Sequence, residues 1–211
     1  MIRTVWGKKI ILLCISAAGA NICLNILFID VLKIPLFVDT VFTAAICFLA
    51  GLGPGLITAL LAQIANFIHK GSIVPFALCS FAEVLLICFL APVFMQKHDS
   101  GKGPVKSRLH TARQEREIAS MVNIFAGLLL LYIVTCIAIS ILGGLIDFFY
   151  HDLMSYYKSY FSAEDAFKIG LLRSGIPALA MNILSRIPVN IVDRFIVIFG
   201  GYFFSRGLSK F

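Results

Sequence analysis

Charged residues are scarce in this chain of 211 residues: Asp, Glu, Lys and Arg make up 14%, whereas apolar residues make up 60%. Soluble domains carry about 25% charged and roughly 45–50% apolar residues, so the composition excludes an ordinary soluble enzyme. The 19 Phe residues exclude intrinsic disorder, because disordered chains have too little apolar surface to fold. We expect one membrane domain over residues 1–211, with room for about five to seven spans of roughly 20 residues each.

Catalytic and metal-binding signatures are also missing. The sequence has no G-x-x-x-x-G-K-[ST] phosphate loop, no H-E-x-x-H and no G-x-S-x-G. Its four His residues are scattered near loops, and its six Cys residues lie in apolar runs without a C-x-x-C pair. Such cysteines are typical of small buried hydrophobic side chains rather than of metal ligands or disulfides. We expect no metal ion, no cofactor and no enzymatic activity.

Six apolar runs predict an all-α integral membrane protein. The first run follows a basic N-terminus and contains Ala18-Gly19-Ala20, which together are also compatible with a cleaved signal peptide. Its apolar residues continue to Phe28, however, and this continuation favours an uncleaved first span. The predicted spans cover residues 10–28, 36–52, 56–69, 73–95, 120–149 and 187–205.

The orientation of the spans depends on residues 166–186, which are moderately apolar but contain Lys168, Arg173 and Pro177. This segment is either a seventh span or a surface or partly inserted helix. With six spans, both termini and the 96–118 loop lie on one side and hold 11 of the 18 basic residues. Basic residues collect in cytoplasmic loops. We therefore predict six spans in the plasma membrane, with both termini and the 96–118 loop cytoplasmic, and we assign the net charge of +7 to topology rather than to nucleic-acid binding.

Polar side chains recur inside the predicted spans, where they are expensive. Asp39 and Thr43, for example, are four residues apart and share one helix face. In the six-span topology all these side chains lie in the outer half or near the middle of the membrane, which predicts a polar ligand pocket open to the outside. The alternative is a set of interhelical hydrogen bonds and ion pairs. The candidate ligand-binding residues are Asp39, Thr43, Asn66, Glu83, Asp147, Arg186, Asn190, Asp193 and Arg194.

The last span suggests what kind of ligand this pocket would take. Pro188 suits the start of a helix, and it places Asn190 and Asp193 three residues apart at the outer end of that helix. An amide both donates and accepts hydrogen bonds, and a carboxylate accepts them strongly. The pattern predicts a ligand with several hydrogen-bond donors that is neutral or cationic. In the alternative interpretation, Asp193 pairs with Arg194 or Arg186.

Small residues form a run in the first span, from Ser16 to Ala20. Ser16 and Ala20 are four residues apart, and small side chains at this spacing permit the backbone of another helix to approach closely. The partner helix belongs either to this chain or to another subunit.

These features together resemble the substrate-binding S component of energy-coupling factor (ECF) vitamin transporters. The residues that carry the resemblance are Pro35-Leu36-Phe37-Val38-Asp39-Thr40, the glycines at 51, 53 and 55 up to Asn66, the last-span segment Ile187-Pro188-Val189-Asn190-Ile191-Val192-Asp193-Arg194, and the small residues of the first span. Riboflavin-type members carry Phe and Lys where this chain has Val189 and Asp193, so the ligand stays open.

The resemblance implies six helices with both termini inside, and a vitamin or similar micronutrient held near the outer surface beneath the loop at residues 29–35. It also implies a transmembrane coupling subunit and two ATPases as partners, with Ser16 and Ala20 on the docking face.

Two other functions compete with transport. One is a membrane sensor module with the same bundle. The other is an intramembrane acyl or lipid transferase, which would need a group such as Glu83 paired with a His at the same depth, and no such His is present.

Overall fold

The structure, a computed structural model, describes residues 7–34, 36–70, 75–95, 109–153 and 163–209. Across these ranges the chain is helical with no strands, which confirms the all-α prediction. Short π-helical turns at Ile26–Val31, Phe148–Leu153 and Ile196–Gly200 extend the first, fifth and seventh helices. The helices are α1 (Lys8–Asn25), α2 (Val41–Ala50), α3 (Leu52–Lys70), α4 (Ala77–Phe94), α5 (Leu109–Asp147), α6 (Ala163–Arg173), α7 (Ala178–Phe195) and α8 (Gly201–Leu208).

Five stretches of the described chain are long and apolar enough to cross a membrane, which suits a multi-pass membrane protein. They are Lys8–Val31, Leu52–His69, Ala77–Phe94, Ala119–Tyr150 and Ala178–Leu208. The predicted span at 36–52 differs from these, because only the ten residues of α2 are helical before the chain turns at Gly51. Gly51 has φ of 82°, a left-handed conformation that favours glycine.

The predicted boundaries shift most in the last third of the chain. α7 begins at Ala178, and Pro188 lies in its interior rather than at a helix start. Membrane helices tolerate an internal proline, because neighbouring groups can bond the carbonyl that it frees. The segment predicted as a single helix at 166–186 is divided between α6 and α7 by a turn at Gly175, where φ is 79°.

The predicted 96–118 loop is described only in part. Residues 109–118 belong to α5, which therefore begins well before the predicted fifth span. Residues 96–108 lie outside the described residues, and so do the first six and the last two residues of the chain.

A non-helical segment, Leu36–Thr40, leads into α2. Within it Val38 is buried at 2% exposure, and the backbone of Phe37 contacts Asp193 near the end of α7. α2 itself packs against α8, where the Cα of Gly201 leaves room for the methyl group of Ala44. The second membrane segment is thus a half-length helix preceded by a non-helical stretch, which we call the lead-in segment.

Close helix contacts define the rest of the bundle. α1 and α3 run in the same direction: Cys14 lies against Pro54 near their starts, with Sγ 3.6 Å from the Pro54 carbonyl oxygen, and Asp30 meets His69 at their ends. α5 and α7 form a large interface. At its tightest point Gly144 faces the backbone of Ile183.

We predict that Gly144→Ala destabilises the isolated chain by about 1–3 kcal/mol, the range for overpacking a close contact. A β-carbon there would lie 2.6 Å from Cα of Ile183, so the backbone of α7 has to move. Gly19→Ala is the matched control, because nothing lies within 4 Å of the β-carbon it would add. Thermal unfolding in detergent should show a lower midpoint for Gly144→Ala alone. Equal midpoints would contradict the close α5–α7 contact.

Candidate functional site

A partly open cavity lies among α1, the lead-in segment, α3, α4, α5 and α7. The empty space enclosed by its walls, together with the open solvent at its mouth, is about 680 Å³. Ten of the fourteen residues that line it are polar or charged, and the other four are Phe37, Phe76, Cys79 and Ile139.

Six of the nine predicted ligand-binding residues line this cavity. They come from four separate elements of the fold, so the structure brings together side chains that are up to 155 positions apart in the sequence. Whether they bind a ligand stays a prediction. The six residues are Asp39, Asn66, Glu83, Arg186, Asn190 and Arg194.

The other three predicted residues are buried beside the cavity and contact protein groups. Thr43 accepts a hydrogen bond from the side-chain amide of Asn21 at 2.8 Å. Asp147 forms ion pairs with Lys168 and with Arg186, the latter at 3.3 Å. Asp193 does not form an ion pair with Arg186 or Arg194 within the described chain but accepts the backbone N–H of Phe37.

Asn25 connects three elements at the cavity wall. Its amide nitrogen lies 3.0 Å from Oδ2 of Asp39 in the lead-in segment and 3.3 Å from Oδ1 of Asn66 in α3. The residue is 4% exposed. Asn25 was not among the predicted site residues, although its spacing of four from Asn21 places the two amides on one face of α1 and marks that face as polar.

A buried ion pair joins α4 to α7 at the cavity. Oε1 of Glu83 lies 2.5 Å from Nη1 of Arg194, and the two side chains are 2% and 5% exposed. Glu83 sits roughly 9 Å beyond the start of α4, at about 1.5 Å per residue. Charges at such a depth are expensive in a membrane, and they are found paired and at functional positions.

The same part of α7 holds the lead-in segment in place. Both carboxylate oxygens of Asp193 lie 3.1 Å from the backbone nitrogen of Phe37. Arg194 donates from Nη2 to the carbonyl oxygen of Phe37 at 3.4 Å. Non-helical backbone is stable at membrane depth only where protein groups satisfy it. Asp193 and Arg194 supply these groups for Phe37.

Arg186 lies at another part of the cavity wall, held on two sides. Its guanidinium pairs with Asp147 and stacks over the ring of Phe76 at 4.3 Å from the ring centroid. Its side chain also packs on Gly143, where an added β-carbon would lie 3.1 Å from Cδ. Lys168 of α6 reaches the same Asp147, so this carboxylate anchors α6 to the bundle.

Several buried polar atoms in the cavity wall have no hydrogen-bond partner within the described chain. They are Oδ1 of Asn25, Oγ1 of Thr40, Oε2 of Glu83 and Nε of Arg194. The great majority of buried polar atoms in proteins are hydrogen-bonded. These atoms are two oxygens that only accept, one hydroxyl that accepts or donates, and one N–H donor.

Ser80 and Asn190 complete the polar wall, and both are bonded to neighbouring helices. Ser80 accepts from the Gln63 amide at 3.0 Å, and Asn190 donates to the Ser140 hydroxyl at 2.9 Å. Within the described chain, no group of three or more His, Cys, Asp or Glu side chains is arranged to hold a metal ion.

Comparisons of this chain with protein-family models, with curated proteins and with solved structures gave no match. The function of this chain therefore has to be inferred from the geometry and chemistry of the cavity.

We predict that Asp193→Ala lowers the stability of the ligand-free chain by about 1–3 kcal/mol, the cost of a buried donor left without a partner. The orphaned donor would be the N–H of Phe37. Asp193→Asn keeps an acceptor oxygen and should lose less. Thermal unfolding of both variants in detergent, without added ligand, tests this order. If Asp193→Ala unfolds at the wild-type temperature, the carboxylate does not hold the lead-in segment.

Proposed function

We propose that this protein binds a small polar solute, neutral or cationic, in the cavity and delivers it across the plasma membrane as the substrate-binding S component of an ECF-type transporter. The observation that carries the proposal is the convergence of six polar or charged side chains from four elements on one cavity at membrane depth. A bundle that needed only internal cohesion would satisfy these groups with one another. Here three buried oxygens of the wall have no partner in the described chain.

The position of the cavity agrees with the resemblance to S components. Asn25 and Phe37 line the cavity on either side of the loop at residues 29–35, beneath which the resemblance expects the ligand. The cavity lies toward the ends of α1 and α3 and the start of α4. With a cytoplasmic N-terminus, this is the outer half of the membrane.

In the proposed topology the lead-in segment and α2 together make the second crossing along the chain, which brings the number of crossings to six. Binding sites in transporters are commonly formed where a membrane helix is interrupted, because the unwound backbone and the helix end are available to the solute. The lead-in segment has this character, and Asp39 and Thr40 within it line the cavity. Both termini then lie on the cytoplasmic side.

α1 offers a face for the proposed coupling subunit. Ser16 and Gly19 are exposed on the bundle surface and Ala20 is half-exposed, whereas Ala17 and Ala18 are buried inside the chain. Nothing lies within 4 Å of the β-carbon that Gly19 lacks. A helix of another subunit could approach this face closely. Two ATPase subunits would supply the ATP hydrolysis for which this sequence has no motif.

The binding proposal predicts that a small molecule co-purifies with the wild-type chain and is lost in Cys79→Trp. Cys79 lines the cavity, so an indole at this position occupies the space of the ligand. Cys23→Trp is the same substitution at an exposed position outside the cavity and should retain the molecule. Native mass spectrometry of each protein measures the bound mass. The proposal fails if the wild type carries no small molecule, or if Cys79→Trp retains it.

The docking proposal predicts that Ala20→Trp prevents assembly with the ATPase subunits, because the indole blocks close helix approach. Ala126→Trp adds the same bulk at an exposed position on α5 and is the control. Affinity purification of the tagged chain from its native membranes, followed by mass spectrometry, detects any ATPase with a phosphate-binding loop. Equal recovery with both variants would place the docking surface elsewhere, and ligand retention in Ala20→Trp would show that the fold is intact.

A further inference from the structure

The partnerless atoms of the cavity wall are mostly acceptors. Asn25, Thr40 and Glu83 are 4%, 7% and 2% exposed, and each has one side-chain oxygen that lacks a hydrogen-bond partner in the described chain. Each of these residues lines the cavity. A buried oxygen without a donor is costly, so an occupant that brings hydrogen-bond donors is favoured over one that brings acceptors.

The charges next to these oxygens favour a positive occupant. The guanidinium of Arg194 is paired with Glu83 and interacts electrostatically with Asp193, the adjacent residue in α7. One guanidinium therefore serves two carboxylates, and all three groups are at most 5% exposed. The three side chains carry a formal charge of minus one in a region without bulk water, where an uncompensated charge is strongly disfavoured.

The second guanidinium of the wall does not reverse this balance. Arg186 pairs with Asp147 at 3.3 Å, and its face is covered by the ring of Phe76. Asp147 also pairs with Lys168, so these three side chains carry a formal charge of plus one. The carboxylate of Asp39 in the cavity wall offsets this charge, and the charged groups in and beside the wall together keep a formal charge of minus one.

We infer that the cavity selects a small organic cation, such as a protonated amine or an amidinium, whose N–H groups donate to Oε2 of Glu83 and to the partnerless oxygens of Asn25 and Thr40. This inference rests on the proposed binding function and narrows the class of solute. A charged donor next to a carboxylate forms a stronger hydrogen bond than a neutral one. A carboxylate or phosphate at the same place would face the carboxylate of Glu83 and the amide oxygen of Asn25, neither of which has a proton to donate.

Cys79 provides a reporter of this preference, because it lines the cavity and is partly exposed. The full-length wild-type chain, purified in detergent, is treated with three methanethiosulfonates: the neutral methyl reagent, the cationic 2-aminoethyl reagent and the anionic 2-sulfonatoethyl reagent. Site-resolved mass spectrometry gives the rate of modification at Cys79. Each rate is divided by the rate of the same reagent with free 2-mercaptoethanol, which removes intrinsic differences in reactivity.

We expect the corrected rate of the cationic reagent at Cys79 to exceed that of the anionic reagent by about tenfold or more, since clefts of one charge enrich counter-ions to this extent. A ratio of one or less would overturn the inference. If the neutral reagent modifies Cys79 in the folded protein but the cationic reagent reacts no faster than the anionic one, the binding cavity is supported and only its selectivity is rejected. If the neutral reagent reaches Cys79 only after unfolding, the cavity is closed and the proposed function fails as well.

Variants test whether the preference for the cationic reagent at Cys79 depends on the charge of Glu83. Glu83→Gln should reduce the ratio several-fold toward that of the free thiol, whereas Glu83→Asp should keep it. Asp30→Asn makes the same change of carboxylate to amide at the exposed pair with His69, outside the cavity, and should also keep the ratio. Should Glu83→Gln fail to fold, Gln63→Lys adds a cation to the wall without touching the ion pair, and it should likewise reduce the ratio. An unchanged ratio in the folded variants would overturn the assignment.

Discussion

The ion pair between Glu83 and Arg194 is the interaction on which the rest of the site depends. It places two charges inside a bundle of apolar helices, at 2.5 Å from each other and almost fully buried. Arg194 also holds the carbonyl oxygen of Phe37, and the neighbouring Asp193 holds its N–H. One ion pair and one short stretch of α7 thus connect α4 with the lead-in segment. Without them, extended backbone at this depth would have unsatisfied polar groups.

The interrupted second segment depends on this arrangement and creates the cavity. Because Leu36–Thr40 is not helical, Asp39 and Thr40 line the space between α1, α3 and α4 instead of lying on a helix surface. Asn25 bonds to Asp39 and Asn66 across this space, but its own oxygen has no partner in the described chain. Polar groups that are fixed in position yet incompletely satisfied are suited to binding a polar solute, since little has to reorganise when it enters.

Much of the fold and part of the site could be predicted from the sequence, because charged residues inside apolar runs are visible in the sequence. Spacing placed Glu83, Asn190 and Arg194 on inward faces, and these residues do meet. Spacing does not identify partners, so the pairing of Arg194 with Glu83 rather than with Asp193 became clear only in three dimensions. Hydropathy does not distinguish an extended apolar segment from a helical one, which is why the lead-in segment was predicted as part of a full span. Pro188 suggested a helix start, but the surrounding helices accommodate it inside α7.

A charge-removal cycle across the ion pair is the most direct test that it is buried and mutually dependent. The variants are Glu83→Gln, Arg194→Gln and the double variant, compared by thermal unfolding of the purified chain in detergent. Removing one partner of a buried pair leaves an uncompensated charge and costs about 3–5 kcal/mol. Arg194→Gln leaves the carboxylates of both Glu83 and Asp193 uncompensated, whereas the double variant leaves only that of Asp193. The double variant should therefore unfold at a higher temperature than Arg194→Gln. A double variant that loses the sum of the two single losses would show that the two charges are independent, and it would contradict the ion pair as the basis of this site.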